Sequence, residues 1–245
     1  GYPNNIIVQN NTPLTLNVTY PAPSALGCSG YIDIKSGSSV DMGTMPYSLN
    51  SGTDLTIAGT LTLSTASGGD LNVGRNWNRT GTFVQNNRNV TFNGSQDGVL
   101  TATGGQLFSF VYLNKSTKTA KLTLASEVTV TDEIGFTAGT LDLATNGKFC
   151  TLLSTSTKTA RIAQSNSVNT AFNYGTGNTG QFIIQRYVPA KRAWRLMSPP
   201  VSGSNATISQ AWQEGMAFDY ATTGTQASDT LSAGYATHIT GGTIS

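Results

Sequence analysis

Short runs of apolar residue, Thr or Asn, and second apolar residue recur along the chain. Three fall between residues 55 and 73: Leu55-Thr56-Ile57, Leu61-Thr62-Leu63 and Leu71-Asn72-Val73. Alternation at period two sends the apolar pair to one face and the polar residue to the other, which is the pattern of a half-buried β-strand. Such units are too short to make a sheet alone, so they must be stacked. Val90-Thr91-Phe92, Val111-Tyr112-Leu113, Leu122-Thr123-Leu124, Val128-Thr129-Val130 and Leu141-Asp142-Leu143 continue the series. Counted from Leu55, later starts at 71, 90 and 111 give steps of 16, 19 and 21 residues, the size of a solenoid coil rather than of a hairpin. Between the runs lie Gly- and Asn-rich segments (SGGD, NNRN, NGSQDG, TGGQ, TAGT, TNGK) of the kind that turn corners.

These features predict an all-β chain in which residues 1–180 form a parallel β-helix, or β-solenoid. Leu55, Ile57, Leu71, Val73, Val90, Phe92, Val111, Leu113, Leu141 and Leu143 are expected to face inward. IIV at 6–8, LTLNV at 14–18, YIDI at 31–34 and SVDM at 39–42 read as irregular first coils. The rhythm fades over 160–180. Residues 181–245 read as the start of a small β-rich, sandwich-like module, with a capping box at Thr207 to Gln210 opening a short helix. The first residue is Gly1 with no basic-then-apolar leader, as expected of a processed N terminus. The final THITGGTIS reads as a strand cut through, so a longer parent protein is expected.

Charge narrows the function classes. Only 11% of residues are charged, against about 25% in an ordinary soluble domain. The net charge of +2 generates no field able to gather nucleic acid or anionic lipid. No apolar run approaches the ~18 residues of a membrane span. An extracellular protein with a hydroxyl- and amide-rich surface is expected, without nucleic-acid partners or direct membrane insertion. Cys28 and Cys150 have no metal-type spacing; they read as buried free thiols or as a disulfide. On a stack of roughly 20-residue coils spaced ~4.8 Å apart they lie far beyond bridging distance. Both are therefore expected to be unpaired, unless residues 1–50 fold back as a cap.

Catalytic, cofactor-binding and metal sites are all expected to be absent. His238 is the only histidine, and no nucleophile elbow accompanies it. The densest acidic set, Glu127, Asp132 and Glu133, reads as solvated turn charge. Trp77, Phe83, Tyr112, Trp194 and Trp212 are the large aromatics weighed as sugar platforms. Trp77, in the polar setting GRNWNRTG, reads either as core or as exposed, and we carry Trp77 and Tyr112 as candidate glycan contacts. Arg186, Lys191, Arg192 and Arg195 interleave with Tyr187 and Trp194, which suits interdomain hydrogen bonding and cation–π packing. Asn-x-Ser/Thr sequons stand at Asn10, Asn17, Asn78, Asn89, Asn93, Asn114 and Asn205.

Four segments together resemble the large secreted surface proteins of the Bacteroidota: Val90 to Gly94, Val111 to Lys115, Gly139 to Leu143 and Arg186 to Arg195. They match that family's T-F/V-T-F-N-G corner, N-L-x-I-N-K strand, G-x-L-D-L rung and R-Y-x-P-x-x-R-A-W-R junction, over roughly residues 50 to 200. The resemblance implies a right-handed parallel β-helix, export by the type IX route and an adhesin-like or matrix role at the cell surface. It also makes Asp229-Thr230-Leu231 a candidate O-glycosylation acceptor, at Thr230. The expected function is a non-enzymatic structural or adhesive surface protein, a stiff spacer or repeated contact surface, with self-assembly as a further expectation. Its expected partners are carbohydrate or another surface protein. The alternative is a β-helix polysaccharide-active enzyme, a lyase or glycoside hydrolase.

Overall fold

A computed structural model describes residues 3–16, 25–163, 169–175 and 180–187. Among them there is no helix, and the strands build a parallel β-solenoid of about six turns. Three ladders run along it. The first stacks Ile6–Val8, Ile32–Ile34, Leu55–Ile57, Trp77–Arg79 and Gly98–Ala102. The second stacks Pro13–Thr15, Ser39–Asp41, Thr60–Thr62 and Thr82–Val84. The third stacks Ala25–Cys28, Ser48–Ser51, Leu71–Val73 and Asn89–Phe92.

The neighbouring triplets between 55 and 73 are therefore three faces of one coil, not one face of three coils. The 16-residue step from Leu55 to Leu71 crosses a coil from its first face to its third. The repeat along a face runs Leu55 to Trp77 to Leu100, or Leu71 to Val90 to Val111. All ten residues expected to face inward are buried. Each buried Leu or Ile contributes about 2 kcal/mol by area, offset by chain entropy.

Corners are turned by residues that accept positive φ. Asn10 and Asn11 (φ 61° and 56°) and Asn86 and Asn87 (φ 46° and 55°) each follow a Val-Gln pair and end a ladder strand's run. Asn can adopt this conformation at little cost because its short side chain bonds locally. Outward amides also stack: Asn72 Nδ2 donates to Asn50 Oδ1 at 2.6 Å.

The cross-section changes after Val84. In lower coils, residues 64–70 and 85–88 form corners between the second and third faces. In the next coil that corner is gone, and Gln106–Asn114 runs as one strand across both faces, with register shifts between Phe108 and Phe110 and between Leu113 and Asn114. Above it Val128–Asp142 is longer still, pairing with Gln106–Asn114, Lys121–Leu124, Cys150–Leu152, Arg161–Ile162 and Thr170–Asn173. The four-stranded second ladder stops at Thr82–Val84.

The boundary expected near 180 falls inside the last coil. Phe182–Ile184 pairs with Cys150–Leu152, carrying the ladder forward, and the compact unit containing the solenoid runs to Pro189. The apolar run Phe182-Ile183-Ile184 continues the stacking although the preceding segment is polar. The expected module over 181–245 otherwise lies outside the described residues, as do the helix near Trp212 and the Arg192 to Arg195 segment. Cys28 and Cys150 are free and buried, on different coils. Burial raises both thiol pKa values, that of Cys150 to about 12.

Candidate functional site

Trp77 is a core residue and presents no surface to a glycan. It stands in register with Leu55 and Leu100, and its side chain is fully buried. The indole meets Phe83, Phe108 and Phe92 edge-on at centroid distances of 4.9, 5.4 and 6.1 Å. Its Nε1 donates to Gln106 Oε1 at 3.2 Å, so the polar atom is satisfied inside the coil. The polar setting misleads because Asn76 and Asn78 belong to the outward face of the same alternation.

Tyr112 does point outward, but it is held. Its ring lies over Gly135, where an added Cβ would come within 2.3 Å of a ring carbon. Its hydroxyl donates to Glu133 Oε1 at 2.7 Å, and Arg161 Nε donates to Glu133 Oε2 at 2.7 Å. Burial, then the Glu133 bond, raises the phenol pKa to about 12. The Tyr112 bond and the Arg161 guanidinium together hold the Glu133 carboxyl below its usual range against the opposing effect of burial. Thr230 lies outside the described residues.

The acidic trio does not sit on a turn and does not converge. Asp132 and Glu133 lie within the strand Val128–Asp142, and Glu127 immediately precedes it. Glu127 Oε2 accepts the Phe149 backbone N–H at 2.6 Å, Asp132 pairs with Lys158 at 2.6 Å, and Glu133 binds Tyr112 and Arg161. Among the described residues no group of three His, Cys, Asp or Glu side chains is placed to hold a metal ion.

Similar stitching recurs at the corners. Arg75 donates to both Asp54 oxygens, at 2.7 and 2.6 Å, and its Nη1 reaches Gln96 one coil further on at 3.2 Å. The Arg75 bonds lead the effects that lower the Asp54 pKa. Lys115, the last residue of the N-K strand motif, is 2% exposed. Its Nζ donates to the carbonyls of Gly74, Asn93 and Gln96 at 3.0, 2.9 and 3.1 Å, tying three coils together. Burial lowers its pKa to about 8, the nearby Asp97 charge opposing. Gly139 is needed beside it, since a Cβ there would meet the Lys115 stem at 2.9 Å. In the sequence the one sign that this lysine is inside is its place two residues past Leu113, on the inward parity of the rung.

Two concavities accompany the change of cross-section. One, of about 450 Å³, opens where Thr82–Val84 faces Gln106 and Leu107. Arg79 is inserted there, donating from Nε to Gln106 Oε1 at 2.8 Å and from Nη1 to the Gly81 carbonyl at 2.8 Å. The other, of about 470 Å³, is a step where the corners end, lined by Ser67, Asp70, Arg88, Phe110, Asp132 and Lys158 among others. Lys158 reaches it from a small turn closed by the Ser154–Thr159 bridge.

No protein-family model matches the sequence, and comparison with curated proteins and with solved structures gives no significant match. Fold and local geometry thus define a class, a parallel β-solenoid whose polar side chains join coil to coil.

Proposed function

We propose that this chain is a non-enzymatic extracellular surface protein whose solenoid serves as a stiff spacer and repeated contact surface. The carrying observation is the direction of its polar bonding. Asp54 to Arg75 to Gln96, Lys115 to three carbonyls, and Tyr112 to Glu133 to Arg161 all run along the solenoid axis, from coil to coil. Charges used in this way stiffen a rod and are unavailable for acid–base work. A solenoid lengthens by adding coils without altering its neighbours, which suits a task that needs reach. Low charge and outward Thr and Asn suit many weak contacts with carbohydrate, another surface protein or copies of itself, and avidity then supplies the strength. The cell-surface setting and the export route rest on the resemblance of the four segments described above.

The rival reading is a polysaccharide-cleaving enzyme, and one observation favours it: two carboxylates, Asp70 and Asp132, line the same open step. Incubation with plant, algal and host polysaccharides separates the two. The spacer reading expects no new reducing ends and no unsaturated uronate absorbance. Steady turnover abolished by Asp70→Asn or Asp132→Asn overturns it.

A further inference from the structure

The step at the lost corner has the composition of a ligand site, and we propose that it binds a neutral oligosaccharide. This inference rests on the adhesive form of the reading above and names its ligand class. From the lower coils the step is bounded by the corner residues Ser67 and Asp70 and by Arg88; from the coils above it is bounded by Phe110, Asp132 and Lys158. Its volume of about 470 Å³ is in the range of small-ligand sites. Asp70 and Asp132 balance Arg88 and Lys158, so the site carries no net charge, which disfavours a uronate or sulfated chain and suits uncharged sugar.

Sugar hydroxyls donate and accept at once, and the step offers both functions side by side. Lys158 Nζ bonds to the Asp132 carboxylate alone among the described residues, at 2.6 and 2.7 Å, leaving a donor direction free. Arg88 uses Nε and Nη1 on the carbonyls of Asn86 and Ala66, at 3.4 and 3.0 Å, and Nη2 has no protein acceptor among the described residues. Asp70 accepts the Asn89 N–H through Oδ1 at 3.0 Å and has only a 3.5 Å contact at Oδ2. Phe110 and Tyr112 alternate with the buried Val111, so both rings leave the same strand outward. They stand ~6.6 Å apart at the rise of a β-strand, one in the step and one beside it. Aromatic faces next to paired carboxylate and cation groups are how proteins hold the apolar face and the hydroxyl rim of a pyranose together. A peptide, the competing occupant, would find no unpaired sheet edge here, since Gln106–Asn114 is paired on both sides at Phe110.

The test is a panel of neutral, acidic and sulfated oligosaccharides and of unstructured peptides, titrated against the full chain by calorimetry and by protein-observed NMR. Binding of a neutral sugar, weakened about tenfold or more by Phe110→Ala and by Lys158→Met, and unchanged by Thr101→Ala on the first face, supports the proposal. Lys158→Met keeps the stem and removes a half-exposed ammonium together with its ion pair to Asp132, so it reads the site even if Phe110→Ala fails to fold. Binding confined to acidic or sulfated sugars or to peptides, binding insensitive to both variants, or no binding at all overturns it. The last outcome leaves the spacer reading standing, whereas turnover of the bound sugar removes that reading while keeping the site.

Discussion

Replacing Lys115 with Met keeps the length of the side chain and removes its buried ammonium. Three carbonyls, those of Gly74, Asn93 and Gln96, lose their donor together. A buried acceptor left without a partner costs about 1–3 kcal/mol. Against this stands the relief of a desolvated charge. The fall of the lysine pKa from 10.5 to about 8 corresponds to roughly 3 kcal/mol at 1.36 kcal/mol per unit. The orphaned carbonyls win, and Lys115→Met is expected to cost about 3 kcal/mol at pH 7. The pH dependence separates the two contributions. Because the folded pKa lies below the unfolded one, the unfolded chain holds more protons between about pH 8 and 10.5, and wild-type stability climbs through that window. The variant lacks this climb, so its deficit should widen with pH, and taking the difference between the two proteins cancels the tyrosines that titrate nearby. Urea melts of both proteins at intervals from pH 7 to 10 measure it. A variant as stable as wild type at pH 7 would show that water already serves the carbonyls. A deficit that stays constant with pH would show that the ammonium is not desolvated.

Other substitutions probe the remaining stitches and the core. Gly135→Ala places a methyl group within 2.3 Å of the Tyr112 ring and should cost about 1–3 kcal/mol while freeing the phenol; a tyrosine titration unchanged from wild type would refute the contact. Glu133→Gln should flatten the acid limb of the stability profile, since a carboxyl with a lowered folded pKa stabilises above its unfolded pKa and loses that contribution as pH falls. An identical acid limb in both proteins would count against the Tyr112–Glu133–Arg161 chain. Trp77→Phe should remove a blue-shifted component from the fluorescence and lower the urea midpoint; a difference spectrum typical of exposed indole would return Trp77 to the surface. Both thiols should resist labelling in the native protein and react on unfolding, and a mass spectrum of unreduced protein showing an internal bridge would contradict the coil order.

Alternation made the inward residues legible, because side-chain period along a strand does not depend on what the strand stacks against. Face membership was not legible. Leu55 and Leu71 look like successive rungs, but their separation counts a corner and a whole second face, and corner lengths follow turn geometry rather than hydrophobic pattern. Trp77 stays ambiguous in the sequence for the same reason: its neighbours are polar, and only the 55, 77, 100 register shows that it is inward. The step carrying Phe110 and Lys158 was also beyond reach, since it arises from a corner that one coil has and the next lacks. Nor did the segment STKTA, present at 116–120 and again at 156–160, announce two different corners. Ala120 and Ala160 are buried in both, yet Lys118 stays apart from the Asp132 that Lys158 meets.

The strand Val128–Asp142 has a consequence for how such a rod bears load. A stack of separate short rungs, pulled from one end, peels one coil at a time, each releasing a few hydrogen bonds at modest force. Here one unbroken strand wraps most of a coil and is clasped by five others, below and above. Peeling that reaches it must strip the pairing of several faces at once. Under tension on that end the solenoid should therefore give way in small steps, releasing Lys158 from the step, and then halt at this belt with the lower coils intact at forces that have already undone the end.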